Sequence, residues 1–250
     1  MRIASVSDMH GNAIAFEAVI ADLKRQSPDA IVCLGDIALR GPQPQECVDM
    51  LRSLNPLVTV RGNYDDKFTR WPHQYSFYDP TEFKHQLVDR TVAYGEAWLK
   101  PADQEWLANL PVIHTMTIEG VQVELFHASP RSLVEIVYPW VSLDELCKLR
   151  ADEKTRLVVY GHIHHAFARQ ARGVQVVNTG SAGLAFDYDN RASYAIIDLE
   201  ASSMAVQLRR VAYDVEAVIE IARQRAMPDL EAFSFGVRQA RYPYNHPIGG

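Results

Sequence analysis

The sequence predicts a mixed α/β chain in which two β-sheets pack face to face with helices outside them. The first sixty residues alternate short apolar runs with segments of helical period, the signature of parallel strands joined by helical crossovers. The second half carries five strand-like runs with one short helix between the first two. The composition, 48% hydrophobic and 22% charged, suits a packed chain rather than a disordered one. At 250 residues the length allows one large domain or two small ones, and a single domain over 1–250 accommodates the whole pattern.

Residues 2–7 (RIASVS) are short and mostly small or apolar, as a buried strand is. Asn12 can cap the next segment, where Ile14, Val19, Ile20 and Leu23 recur at helical spacing before Pro28 ends it. Residues 30–34 (AIVCL) read as a second buried strand. Residues 44–54 read as a helix with Val48, Leu51 and Leu54 on one face, and 57–61 (LVTVR) as a third strand. Further strands are predicted at 121–127, 156–160, 174–178, 193–199 and 204–211, the last three spaced like hairpins rather than crossovers. Ser142 followed by Glu145 is a capping-box pattern for a helix at 142–149. A last helix runs from Asp214 to Met227 and stops at Pro228, and the tail up to residue 250 shows turn residues and aromatics without a period.

Residues 64–110 read as a helical, aromatic-rich insertion. Nine of the chain's 24 Phe, Trp and Tyr residues fall within 64–98, from Tyr64 to Trp98. Clustered aromatics pack on one another, so the first expectation is an insertion with a small core of its own. The sharper alternative is a cap whose rings stack on a base or aryl group.

The net charge of −6 and pI of about 5.8 provide no overall positive field for nucleic acid or acidic membranes. Three scattered cysteines, Cys33, Cys47 and Cys147, form no CxxC pair and argue for a reducing compartment. Met1-Arg2-Ile3 opens directly into a strand, and no run approaches 18 apolar residues, so the expectation is a cytoplasmic chain without a membrane span.

Five strand ends each deliver a residue able to bind a metal. Asp8-Met9-His10 follows the first strand, and residues i and i+2 of an extended segment point the same way. Gly35-Asp36 follows the second strand, where one carboxylate can bridge two cations. Gly62-Asn63 follows the third and offers a neutral amide oxygen. His127 ends the strand VELFH, and His162-Ile163-His164 ends RLVVY, again at i and i+2. Taken singly these are a turn triplet, an Asx turn, a Gly-Asn turn and a core histidine. Taken together they place two carboxylates, four imidazoles and one amide beyond the carboxyl ends of strands, where α/β sheets bind ligands. That donor set suits a dinuclear site for Mn, Fe, Zn or Ni rather than Ca or Mg.

In order along the chain these motifs read D-x-H, G-D-x-x-x-x-G, G-N, H and G-H-x-H, and over roughly residues 1–200 the chain resembles the calcineurin-like metallophosphoesterase superfamily. The resemblance implies a double β-sandwich flanked by helices. It implies one divalent metal ion held by Asp8, His10, Asp36 and His164, and a second by Asp36, Asn63, His127 and His162. The activity it implies is a two-metal phosphoester hydrolase, foremost a phosphodiesterase resembling small bacterial and archaeal members, with metal-bridging hydroxide attacking phosphorus in line and a small phosphoester as substrate. The alternatives are a phosphomonoesterase, a protein or dinucleoside-polyphosphate phosphatase, or a metal-free interaction scaffold on the same fold. One position departs: where phosphatases of the superfamily carry GNH, this chain has Tyr64. Tyr64, Asp65 or His165 would then assist the leaving group. Arg40, in GDIALRGP, matches an arginine that holds a phosphate oxygen, and Arg61 is near enough in sequence to help. The NTGS stretch at 178–181 resembles a structural loop of the family. A DNA nuclease is disfavoured by the acidic pI and the missing histidine, and a homo-oligomer stays open.

Overall fold

The computed structural model describes residues 1–244. In chain order the first half holds β1 (Arg2–Val6), α1 (Ala13–Gln26), β2 (Ala30–Cys33), α2 (Pro44–Ser53), β3 (Val58–Thr59), α3 (Phe83–Trp98) and α4 (Pro101–Ala108). The second half holds β4 (Ile113–Ile118), β5 (Val121–Phe126), α5 (Leu143–Cys147), β6 (Leu157–Tyr160), β7 (Phe167–Ala171) and β8 (Val174–Asn178). It closes with β9 (Ala192–Glu200), β10 (Ser203–Val211), α6 (Val215–Gln224) and α7 (Leu230–Gln239).

Two five-stranded sheets form, ordered β10-β9-β1-β2-β3 and β4-β5-β6-β8-β7. Strand alternation decides what each covers. Ile3, Val32, Val58, Ile197 and Leu199 of the first sheet meet Val123, Leu125, Leu157, Val159 and Val177 of the second in one buried cluster. Ala4, Val6, Cys33, Tyr194 and Ile196 point the other way, onto Phe16, Val19 and Leu23 of α1 and Cys47, Val48 and Leu51 of α2. Phe126, Val158, Tyr160 and Val176 turn outward from the second sheet onto Leu146 and Leu149. Each fully buried aliphatic of these layers contributes about 1.5–3 kcal/mol relative to exposure.

Local signals set the helix ends. The Asn12 side chain accepts the Ala15 amide at 3.0 Å, and Asp214 does the same for Ala217 at 2.9 Å. Ser142 accepts the Glu145 amide at 3.2 Å, so α5 starts at the predicted cap.

The structure departs from the sequence expectations in four places. The strand expected at 174–178 joins no hairpin with the strand after it. It pairs parallel with β6 and antiparallel with β7, leaving β9-β10 as the terminal hairpin. The third strand shrinks to Val58–Thr59: Val60 still donates to the Cys33 carbonyl at 2.9 Å, but the Arg61 amide turns to the Pro111 carbonyl as the chain heads for Asn63. Strands β4 and β7 and helix α7 were not foreseen. Finally, the insertion builds no core of its own: Phe68, Trp71, Val92, Leu99 and Leu107 belong to the cluster that α1 and α2 complete. The tail expectation reaches 245–250, which lie outside the described residues. No helix among the described residues is long and apolar enough to cross a membrane.

Candidate metal centre

The rim begins where β1, β2, β3, β5 and β6 end. The Asp8 amide donates to the Gly35 carbonyl at 3.0 Å, His10 to Asp36 at 3.0 Å, and Gly11 to Ile37 at 2.9 Å, sewing the first two loops side by side. Gly161 donates to the His127 carbonyl at 2.8 Å and joins the other two. Asp8, His10, Asp36, His162 and His164 all take positive φ, between 49° and 67°. Non-glycine residues adopt this region at a cost of about 1–3 kcal/mol each, and they cluster where side chains must be aimed. Two glycines allow the loops to touch. A Cβ on Gly62 would strike the Asp36 carboxylate, and one on Gly161 would strike Ser7 and Asp8.

All seven predicted ligands are buried and converge. The Asp8 Oδ1 atom lies 3.2 Å from His164 Nε2 and 3.6 Å from His10 Nε2. Asp36 Oδ2 lies 3.6 Å from His10 Nε2 and 3.5 Å from His127 Nε2, between the two histidine sets. Asn63 Oδ1 lies 2.9 Å from His127 Nε2 and 3.0 Å from His162 Nδ1. Ligand atoms of Asp8, His10 and His164 form one compact group, and those of Asp8, Asp36 and His127 another, so Asp8 is shared as well as Asp36 central.

Proton placement suits the cluster to a cation. His10 Nδ1 donates to the Leu39 carbonyl at 2.8 Å, His127 Nδ1 to Leu34 at 2.8 Å, and His164 Nδ1 to Leu184. In a neutral imidazole the other nitrogen is then a bare lone pair. His10 and His164 thus bring two lone pairs to 3.1 Å of each other. Asp8 Oδ1 and His162 Nε2 are buried with no hydrogen-bond partner. Acceptors crowded on acceptors, with two of them orphaned, fit divalent metal between them.

The charge balance agrees. Burial alone would lower the pKa of His127, yet Asp36 and Asp8 outweigh it and push it up to about 9. Burial, with help from His127, brings His162 down to about 3, and burial also lowers His10. Burial alone would raise Asp8 and Asp36, but the surrounding imidazoles hold both carboxylates below their ordinary range.

A second layer fixes the ligands. Ser7 Oγ donates to Asp8 Oδ2 at 2.5 Å and the His162 amide donates to the same oxygen at 3.0 Å, leaving Oδ1 to face inward. Ser181 Oγ donates to the Asp8 carbonyl at 2.7 Å, and Asn178 Nδ2 to the Gly161 carbonyl at 2.6 Å. The NTGS segment is therefore a brace for the loops.

Three residues singled out from the sequence do other work. Asp65 does not face the cluster: it accepts the amides of Asp36 at 2.7 Å, Gly62 at 2.9 Å and Ile37 at 3.1 Å. A carboxylate spent on three backbone donors is a loop clamp, not a leaving-group acid, although burial and Asp36 raise its pKa to about 6. His165 donates from Nδ1 to the Ile163 carbonyl at 2.7 Å, and its ring packs edge-on to Tyr138 and Trp140. Arg61 pairs with Asp66 at 3.2 Å and donates to the Ala108 carbonyl, so it does not assist Arg40.

Arg40 and Tyr64 do reach the site. Both line a cleft of about 340 Å³ with Asp36, Asn63, His162 and His164. The Arg40 guanidinium stands over the rings of Tyr64 (5.3 Å), Phe186 (5.7 Å) and Tyr242 (6.0 Å). The Tyr64 amide donates to Asp36 Oδ1 at 2.8 Å and its ring meets His10 edge-on. Burial raises the pKa of its phenol, which keeps its proton at neutral pH. Sequence reasoning missed Lys67, Lys84, His85 and Tyr242, which line the same cleft.

The model of the calcineurin-like phosphoesterase superfamily domain matches residues 1–202. An uncharacterised protein of Methanocaldococcus jannaschii is 28% identical over 91% of this chain and 94% of its own. The crystal structure of a metallophosphoesterase from Sphaerobacter thermophilus is 27% identical, with a TM-score of 0.73 over 96% of this chain and all of that one. The structure of a hypothetical protein from Pyrococcus horikoshii, 18% identical, shares the fold with a TM-score of 0.79 over 98% and 99% of the two chains. The chain belongs to the calcineurin-like phosphoesterase superfamily.

Proposed function

From membership of this superfamily we propose that the protein is a phosphoester hydrolase dependent on two divalent metal ions, acting on phosphodiesters. The observation that supports it is the placement of Asp36 Oδ2 between His10 and His127, with Asp8 Oδ1 unpaired beside it. In this reading Asp8, His10, Asp36 and His164 hold one ion, and Asp36, Asn63, His127 and His162 the other. The donor set suits Mn, Fe, Zn or Ni. When bound, such a pair supplies Lewis acidity, a water of lowered pKa and neutralisation of charge on the transferring phosphoryl group.

The chain's own groups do the rest. Arg40 offers planar paired donors to phosphoryl oxygens, and among the described residues it has no carboxylate within 4 Å to compete for them. The Tyr64 hydroxyl, protonated and without a hydrogen-bond partner among the described residues, can pass its proton to a leaving oxygen. A diester needs room for a substituent on either side of phosphorus. The cleft supports that requirement, running from the histidines to Trp71, Tyr75 and Phe77 on one side and Leu133 and Val134 on another.

The test compares bis(4-nitrophenyl) phosphate with 4-nitrophenyl phosphate, after chelation and after Mn²⁺ is restored. The expected result is metal-dependent hydrolysis favouring the diester. Preference for the monoester would make the protein a phosphatase, and turnover unaffected by chelation would remove the two-metal reading.

A further inference from the structure

We propose that Lys67 binds a second phosphoryl group of the substrate, distinct from the one hydrolysed, so that the cleft takes nucleotides carrying more than one phosphate. The proposal rests on the hydrolase reading for which group is cleaved, but the site stands on geometry of its own.

Lys67 ends the 3₁₀ turn Asp65–Lys67, which begins two residues after the candidate ligand Asn63. That turn is pinned by the Asp65 clamp, so Lys67 is held on the same rigid loop as the metal ligands. Its side chain is only 9% exposed. The ammonium stands 4.9 Å from the ring centre of Tyr75, 5.1 Å from Trp71 and 5.5 Å from Tyr64. Three ring faces orient the charge, yet none accepts its hydrogen bonds in full. Among the described residues no carboxylate lies within 4 Å of it and no oxygen accepts from it. The adjacent acid, Asp66, is committed to Arg61 and Arg70, each at 3.2 Å, and to the Tyr75 hydroxyl at 2.7 Å.

A buried ammonium is ordinarily paired, because desolvation without an acceptor is costly. Here three donors are instead presented to the cleft. Arg40 and Lys84 line the same cleft, and neither has a carboxylate within 4 Å among the described residues. Of the two acids in its lining, Asp36 belongs to the metal cluster and Asp66 is neutralised. An acidic chain of net charge −6 thus gathers three uncompensated cations around one opening. The complement is a polyanion reaching beyond the scissile group. Arg40 and Lys67 both stand over the Tyr64 ring, so adjacent phosphoryl groups can reach one cation each. At the rim Phe77 is 64% exposed, with the His85 ring 5.8 Å away, offering a planar surface to a base.

The experiment is calorimetric titration of chelator-treated protein with inorganic pyrophosphate and with orthophosphate. The parent is expected to bind pyrophosphate at least tenfold tighter than orthophosphate, with affinity falling as salt rises. Lys67→Met, which keeps the stem between the rings, should bring that ratio close to one, and Lys67→Arg should restore most of it. A parent without preference for pyrophosphate overturns the proposal, as does a Lys67→Met protein that keeps it. Because the readout needs neither metal nor turnover, an absence of hydrolysis would sink the hydrolase reading and leave this result standing.

Discussion

The rim of candidate metal ligands and the segment from 64 to 110 line the same cleft but present different groups to it. At the rim nearly every polar atom that does not face the centre is already bonded. Asp8 Oδ2 is held by Ser7 and the His162 amide, Asp36 Oδ1 by the Tyr64 amide, and three histidine Nδ1 atoms by carbonyls. What remains free is the inward set. Along the insertion three groups that face the cleft, Lys67, Lys84 and the Tyr64 hydroxyl, have no partner among the described residues, and rings enclose Lys67. A preorganised rim can stabilise a transition state because it need not rearrange, whereas unpaired groups on a rigid wall can discriminate between ligands.

The comparison breaks most sharply at Asp36. Asp36→Asn keeps an oxygen for the Tyr64 amide, so the fold should persist by circular dichroism. It removes the charge between His10 and His127, and turnover should fall on the order of a thousandfold. Elemental analysis should show loss of bound metal. A variant retaining a tenth of parental turnover would mean that Asp36 is not central.

Acidity should act on metal binding at the rim. His127 holds a proton up to about 9 because of Asp36 and Asp8, and a metal ion needs that nitrogen's neighbour-facing lone pair free. The sign follows: binding releases a proton, so affinity rises with pH up to about 9 and is flat above it. Between pH 7 and 9 the rise should approach about a hundredfold, roughly tenfold per unit for one proton. Competition of chelator-treated protein with a coloured chelator reads this directly. A flat profile below 9 would show that the carboxylates do not tune His127.

Asp65 distinguishes a clamp from an acid. Asp65→Ala leaves the amides of Asp36, Gly62 and Ile37 without their acceptor, and stability should drop by about 2–3 kcal/mol in urea denaturation. Metal affinity should weaken with it. Unchanged stability together with a lost limb of the pH–rate profile would return Asp65 to the role of proton donor.

The contrast between the regions also explains what the sequence could reveal. The convergence of the seven candidate ligands was legible because metal chemistry favours those residue types and each follows an apolar run that fixes its place. The role of Asp65 was not, since it depends on where backbone amides point once Asp36 adopts a φ of 54°. Lys67 was passed over because a lysine beside two aspartates on a turn reads as solvated, and only tertiary packing encloses it in three rings. Strands β4 and β7 are edge strands whose adjacent polar pairs, His114-Thr115 in IHTMTI and Arg169-Gln170 in FARQA, break the apolar alternation a sequence reading relies on. Helix α7 buries Ser234 and Gly236 beside Phe233 and Val237, which interrupts the apolar period a sequence would show.

His165 marks the outer limit of the rim and should give the smallest effect. It adjoins His164 in sequence, but its ring lies against the stacked pair of Tyr138 and Trp140, whose ring centres are 4.6 Å apart. Its one hydrogen bond goes to the Ile163 carbonyl, a local contact that positions no ligand. Trp140 is 69% exposed, so this cluster buries little surface. His165→Ala should therefore cost at most about 1 kcal/mol of stability and change diester turnover by no more than about twofold. A hundredfold loss would carry the catalytic rim one residue beyond the boundary that the hydrogen bonds draw, and would mean that the aromatic pair behind it also takes part in holding the substrate.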